Sequence, residues 1–592
     1  MVVNDNYVIH PVRPPETAEG EPPKHAAVRW LGVWLDRKLK WKRHVQERCA
    51  TAMKAARFMR SLANTRHGPP AFALRTAVTT VIIPTALYAA ECWYGGRLQP
   101  CRGSVRAGRD NEMVSARIGW HIQAVQKVIN TALRATLPVW RTTPNRILCR
   151  DAGVPTREAA LEEIRLRFAF RLGALDEDHL LVKRTHIPII RRGRGAGAPF
   201  RARTKLELAA RVFKPFPRPT LAPHRFTPGC RTNPNKGLDK ESATKAFAVW
   251  WRSLPPNDWV VFSDGSEMDR ELGYGYAIFR PDGGNIIIGS TTEAMPPPVA
   301  TGKASLDPCA VVFDAEVLGA LRGLQHTIRL ADNDQQIHVC TDNTSAIWGL
   351  RGKASTTSQQ HFLAFHKAAD ARGNVSIKWS PGHMGIHGNE VADELAKAGL
   401  TSPRDREAGP TLAGVRMNRK KMLNDFRYAQ WEQTTRNLAA RYRKWELDHE
   451  LACPKELEVL SRRTLHRFLA LRTGHGDFAA YHRRFNHDED SCEMQCPHCD
   501  DDKTPEHIVF CPKSLGVFRD WPWPNRTRRR RRPETTEMRR LYLKDIMAAP
   551  KAFNKFVEVT EIFWPQEEQD WTGRQQERNG AARAEAGGDG DG

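Results

Sequence analysis

Four acidic residues of the 592-residue chain stand where carboxylates can gather. Asp264 follows the apolar run WVVFS in the tetrad SDGS, and Asp342 follows IHVCT in TDN, so each reads as the tip of a buried strand. Glu316 lies in FDAEVLGAL at the start of a helix, and Asp393 in GNEVADELAK, which also reads as helix. One acid after a strand ordinarily serves as a turn or N-cap residue. Four, on strand tips and facing helices that converge on one edge of a sheet, can meet. Gathered carboxylates repel unless cations sit among them, and hard oxygen donors with open water positions suit Mg²⁺, with Mn²⁺ as the alternative. Two such ions activate a water and stabilise the leaving oxygen in phosphodiester hydrolysis.

The elements that must position these acids run from Asp258 to Leu400. Short β-rich runs, WVVFS, GYAIF, NIIIGS, IHVCT and VSIKWS, alternate with helical spacing such as AEVLGALRGLQHTIRL. That alternation predicts a mixed sheet with helices packed on it. SDGS with GYGYAIF, then FDAE, TDN and WSPGHMGIHGNEVADELA, make Trp259 to Leu400 resemble a type 1 ribonuclease H domain, over about a quarter of the chain. The resemblance implies an α/β fold with a five-stranded mixed sheet, and metal-dependent endonucleolytic hydrolysis of the RNA strand of RNA·DNA hybrids that leaves a 3′-hydroxyl and a 5′-phosphate. It implies that Asp264 bridges two metal ions, with Asp393 completing the nucleophile-side ion and Glu316 and Asp342 the leaving-group-side ion. His383 matches the loop histidine that assists proton transfer and product release, a role that suits an imidazole titrating near neutrality. Ser266 and Asn343 match polar neighbours that contact the hybrid.

Two related carboxylate chemistries compete. Proofreading-type exonucleases place a second acid two residues after the first, where this chain has Ser266; transposase and integrase cores end in Glu, and Glu394 stands beside Asp393. The GHxGIxGNExAD context favours ribonuclease H. The segment Thr344 to Val375 departs from members that grip the hybrid with a basic protrusion, since it offers LRGKASTTSQQ and no dense basic cluster.

Composition locates the grip elsewhere. The chain has 91 Lys+Arg against 67 Asp+Glu, a net charge of +24, yet residues 258–400 hold 11 basic and 17 acidic residues and carry −6. The flanks therefore carry the whole surplus, which points to nucleic acid, an RNA·DNA hybrid or element RNA, as the partner; no protein partner is identified. No apolar run reaches 18 residues, and no basic-then-apolar leader opens the chain, so neither a membrane partner nor secretion is expected. The length allows about three to five domains.

From Val28 to Arg150 the apolar spacing is mostly helical, with Val45, Cys49, Ala52, Ala56, Met59 and Ala63 three to four residues apart. WLGVWLDRKLKWKRHV and LRTAVTTVIIPTALYAAECWYGG resemble the region just after the catalytic palm of non-LTR (LINE-type) retrotransposon reverse transcriptases. A polymerase palm needs paired aspartates on a hairpin; the adjacent run Asp500 to Asp502 lies instead among cysteines, so no polymerase site is expected. Residues 1–187 are thus read as a thumb-like helical region, 188–257 as a basic Pro/Gly-rich linker, 258–400 as the nuclease and 401–490 as basic helices. Of 12 cysteines, four fall between 492 and 511, a clustering that favours a reduced compartment and a metal over disulfides. Cys496, Cys499, His507 and Cys511 give C-x₂-C-x₇-H-x₃-C, a set a tetrahedral Zn²⁺ can collect, with Cys492 or His498 able to replace a ligand. The segment 491–515 resembles the C-terminal zinc knuckle of LINE-type elements. In the basic segment and tail, 516–592, Arg526 and Arg528 to Arg532 offer a phosphate contact or a nuclear import signal, and Trp521 and Trp523 read either as base-stacking or as a packed turn. The combined expectation is an intracellular, retroelement-derived ribonuclease H, with a catalytically inactive nucleic-acid-binding remnant as the alternative.

Overall fold

The computed structural model of the chain describes residues 27–36, 39–65, 67–96, 118–186, 189–191, 200–202, 204–222, 230–235, 237–281, 283–288, 295–447, 452–487, 494–496, 498–525 and 530–560. Among these, one compact unit is formed from residues 163–424 and a second from the segments on either side.

The first unit holds the acid-bearing elements. A helix, Lys240–Arg252 (α1), precedes strands Trp259–Met268 (β1), Glu271–Phe279 (β2) and Ala300–Ser305 (β3). Helix Val312–Leu330 (α2) leads to strand Ile337–Thr341 (β4), then helices Thr344–Arg351 (α3) and Gln359–Arg372 (α4), strand Val375–Trp379 (β5) and helix His387–Gly399 (α5). The five strands form one mixed sheet in the order β3-β2-β1-β4-β5. β1–β2 and β2–β3 are antiparallel, whereas β1–β4 and β4–β5 are parallel.

Strand residues alternate between two faces, so WVVF at the centre of the sheet must be buried on both. Trp259 and Val261 pack with Leu318, Leu321 and Leu324 of α2 and Phe362 and Phe365 of α4. Val260 and Phe262 point the other way, against Phe247 and Trp251 of α1 and Ala392 of α5. The second face needs close approach. Gly275 of β2 lies against the α5 backbone, where a Cβ would collide with Ala392, Leu395 and Ala396.

In this unit three readings of the sequence change. NIIIGS is not a sheet strand in its described part: Ile287 makes a single bridge to Ile386, the Asn285 amide bonds the Ile287 backbone on both sides, and Ile286 is fully buried. The fifth strand is instead β3, ATGKAS, whose small and polar residues suit a half-exposed edge. Asp264 does not end its strand, because β1 runs on to Met268 as one arm of a hairpin with β2. The stretch 188–257, read as linker, contains the antiparallel pair Ile189–Arg191/Phe200–Ala202, the helix Lys205–Ala210 capped by Thr204, and α1. Its FKPFP segment buries Phe213 and Phe216 against Leu166, Ala169 and Leu172.

In the second unit the helix Lys42–Ser61 buries Val45, Cys49, Ala52, Ala56 and Met59, the periodic face read from sequence; Ala63 falls just beyond its end. The preceding segment, read as helical, is a two-stranded hairpin, Ala27–Trp30 with Val33–Asp36, reversed at Leu31–Gly32. A buried charge network, in which Arg472 bonds both Asp151 (3.1 Å) and Glu456 (2.6 Å), joins the N- and C-terminal segments of this unit. Trp521 is 1 % exposed, stacks on Tyr542 and donates to the Ser514 carbonyl; it is a core residue and unavailable for stacking on bases. Of the Arg526 and Arg528 to Arg532 tract, residues 526–529 lie outside the described residues, and Arg530, Arg531 and Arg532 are exposed.

Candidate active site

Register brings two of the acids together. Phe262 of β1 pairs with Cys340 of β4 in parallel, so the positions two further along, Asp264 and Asp342, stand side by side and face the same way. Glu316, in the second turn of α2, reaches them because Gly265 lets the helix backbone press on β1; a Cβ there would lie 2.7 Å from the Glu316 nitrogen. Carboxylate oxygens of Asp264, Glu316 and Asp342 all fall within 4.8 Å of one another. Trp379 at the end of β5 fixes the Asp342 backbone by donating Nε1–H to its carbonyl at 3.0 Å.

Asp393 lies outside that trio. It forms an adjoining group with His383 and Glu390, also within 4.8 Å, and its charge still acts on Asp264 and Asp342. Lys397, one turn along α5, holds it at 2.7 Å. His383 sits exposed at a left-handed φ of 57° in the loop between β5 and α5. The loop is tied at both ends, Ser380 N–H donating to the Thr341 carbonyl and Gly385 N–H to Glu390 Oε1.

The electrostatics are those of crowded, partly desolvated carboxyl groups. Burial, and next the Asp342 charge, push Asp264 up to about 7. Burial followed by the Asp264 and Asp342 charges raises Glu316 well above the usual carboxylate range. Burial also raises Asp342, against the opposing pull of His383 and Lys240. Glu316 Oε2 is buried with no hydrogen-bond partner among the described residues. Polar atoms are rarely left so, because an unmet acceptor costs its desolvation. Hard oxygen donors, like charges and an orphaned acceptor together fit a divalent ion.

The two expected hybrid contacts differ in setting. Ser266 is half-buried on β1 opposite Gly273. Asn343 caps α3, its Oδ1 accepting from Ala346 N–H at 3.1 Å, and extends Nδ2 to 3.5 Å from Glu316 Oε1. Two residues near the cluster escaped the sequence reading. Glu390 had a signal, lying three residues before Asp393 on the same helical face. Lys240, whose Nζ is 3.3 Å from the Gly382 carbonyl, comes from the stretch read as linker and had none.

A separate cluster lies in the second unit. The bridge Gln495↔Asp502 closes a tight turn in which Cys499 and Asp500 N–H donate to the Cys496 carbonyl, and the turn His507–Val509 follows. Cys496, Cys499, His507 and Cys511 each offer a donor atom within 4.8 Å of the others. The Cys496–Cys511 sulfurs are 3.9 Å apart, close to the ~3.8 Å edge of a tetrahedron with zinc–sulfur bonds of about 2.3 Å. Burial lowers the His507 pKa, which keeps the imidazole neutral and able to ligate. His498 is exposed and outside this group; Cys492 lies outside the described residues. Asp502 forms a forked ion pair with Arg483, so part of the aspartate run braces this turn.

Residues 256–401 match the family model described as RNase H. Over 98 residues the chain is 36% identical to a ribonuclease H of Pseudomonas fluorescens, covering 15% of this chain and 64% of that protein. It is 32% identical to the ribonuclease H of a second strain of that species, with 15% and 65% covered. The chain thus spans a little under two thirds of the length of these curated relatives. Among solved structures it is similar to RNase H1 of the halophilic archaeon Halobacterium salinarum, at 16% identity, with 24% of this chain and 97% of that chain covered and a TM-score of 0.19. Residues 256–401 of this chain are an RNase H domain.

Proposed function

We propose that the chain is a metal-dependent endonuclease that hydrolyses the RNA strand of RNA·DNA hybrids, within a retroelement-derived protein. The observation that carries this reading is the trio Asp264, Glu316 and Asp342, two buried and one half-buried carboxyl group gathered within 4.8 Å, with an orphaned oxygen on Glu316. Asp264, Glu316, Asp342 and Asp393 would hold divalent ions, Mg²⁺ by the hardness of the donors, which when bound supply charge stabilisation at the phosphate and an acidified water. The protein's own part is positional. β1, the end of β4 and α2 bring three carboxylates within 4.8 Å of one another, and α5 holds Asp393 and Glu390 beside the exposed His383, whose imidazole can accept or deliver a proton at the rim. Asn343 Nδ2, at 3.5 Å from Glu316 Oε1, orients that carboxylate.

The retroelement context rests on the sequence resemblances at the N-terminal flank and at the knuckle, where Cys496, Cys499, His507 and Cys511 would hold a structural Zn²⁺. The −6 of residues 258–400 against the basic flanks supports a reading in which most phosphate contacts lie on the flanks.

Cleavage of an end-labelled RNA·DNA hybrid by the purified chain in Mg²⁺, with Asp264→Asn as control, tests the reading. Internal cuts in the RNA strand that vanish in the variant are expected. Binding without cutting would replace the enzyme by an inactive nucleic-acid-binding remnant.

A further inference from the structure

We propose that Lys240 is a positioning residue that tethers the loop carrying His383 and so fixes the reach of that imidazole; this rests on the ribonuclease reading above. Lys240 is the first residue of α1, beyond the N-terminal end of the segment that matches the family model. Its helix is firmly anchored. Phe247 and Trp251 are 2 % and 0 % exposed and pack on Val260, Phe262 and Phe279. Near the other end Trp250 meets His338 edge-on and carries the Lys378 ammonium 4.5 Å from its ring centroid. The N-terminus is capped, Asp239 Oδ1 accepting from Ser242 N–H at 2.9 Å. Lys240 therefore projects from a fixed base.

Its Nζ donates to the carbonyl of Gly382 at 3.3 Å, beside the cluster where its charge also reaches Asp342. Gly382 immediately precedes His383, whose left-handed φ of 57° is uncommon for a non-glycine residue and is held by contacts around it. These contacts come from three directions: Ser380 N–H on the Thr341 carbonyl, Gly385 N–H on Glu390 together with Ile288 N–H on the Gly385 carbonyl, and Lys240 on Gly382 between them. By engaging a carbonyl, the ammonium stays beside the acids without taking up a carboxylate oxygen that a metal ion would use.

Two measurements on the full-length chain decide it. In hydrogen exchange, Lys240→Met should accelerate exchange of the amides from Gly382 to His387 about tenfold, the scale of one charge-assisted hydrogen bond, while β1 amides stay protected and Lys240→Arg restores the loop. In single-turnover hybrid cleavage, Lys240→Met should slow the rate about tenfold with little change in half-saturation, and should cost nothing further in a His383→Ala background. Unchanged exchange in Lys240→Met, or an equal loss of rate with and without His383, would overturn the tether. If the wild-type chain does not cleave, the ribonuclease reading fails, and the exchange measurement alone still decides the tether.

Discussion

Asp264→Asn should make the metal-free protein more stable while silencing it. An ordinary aspartate ionises at 3.8, whereas Asp264 in the fold does so at about 7, chiefly because it is buried and next because Asp342 is beside it. Between those values the unfolded chain releases a proton that the folded chain keeps, so stability falls as pH rises through the window and levels off above it. The accumulated cost at about pH 8 is roughly 4 kcal/mol. Asparagine has nearly the same shape and no charge to desolvate. It weakens one compensating contact, the bond from Gly265 N–H to Asp264 Oδ1 at 2.8 Å, which leaves a net gain of about 2–3 kcal/mol. Thermal unfolding of both proteins, in EDTA and in Mg²⁺ at about pH 8 and pH 4.5, tests the sign as well as the size. In EDTA the variant should melt several degrees above wild type at the higher pH, with the gap closing toward the lower one; in Mg²⁺ the wild type should recover, because an ion bound only by the folded state stabilises it. Equal melting in EDTA at the higher pH would refute the idea that uncompensated carboxylate charge strains this site.

Three further outcomes follow from other parts of the fold. Trp251→Ala, outside the family-matched segment, should destabilise the RNase H domain by about 3–5 kcal/mol in urea unfolding, whereas Trp251→Phe, which removes an indole N–H buried without a partner among the described residues, should cost far less. Arg322 of α2 grips Asp405 with two bonds of 2.8 and 3.0 Å, while Tyr274 donates to the same carboxylate. Burial works to raise the Asp405 pKa, but the Arg322 bonds and the Glu407 N–H outweigh it and hold the carboxyl below its usual range. That stabilisation is present above the ordinary aspartate pKa and is lost as pH falls through the lower folded value, so Asp405→Asn should cost about 2 kcal/mol at neutral pH and progressively less below about pH 4 in equilibrium unfolding. The purified chain should carry roughly one zinc ion by atomic spectrometry, and Cys511→Ser or a strong chelator should remove it and open residues 494–525 to trypsin; a zinc-free wild type with the same resistance would refute the knuckle.

The acids were legible because each follows or opens an apolar run, and burial of such runs leaves little freedom in where the next polar residue sits. Asp264 was placed at a strand tip because WVVFS loses its apolar character there. The backbone continues, as β1 outlasts its parallel neighbour and is carried on by β2. ATGKAS gave no β signal because an edge strand with one wet face needs few apolar residues, and the apolar NIIIGS competed with it while serving as a plug under α5. α1 was hidden by the Pro/Gly-rich texture before it, although KAFAVWW holds the aromatics that close the core. The cysteine spacing was legible because ligand geometry is largely local; the site's reliance on Lys240 was not, because it spans 142 residues of sequence.

Gly275 is the cross-strand partner of Asp264, and the helix segment lying against it is the one that carries Asp393. The gap between Asp264 and the acid on α5 is therefore gauged by a methyl group that is missing. Any larger residue at 275 would lift the helix and widen the spacing between Asp264 and Asp393, so an absent side chain on a neighbouring strand sets how closely two acids from different elements can approach.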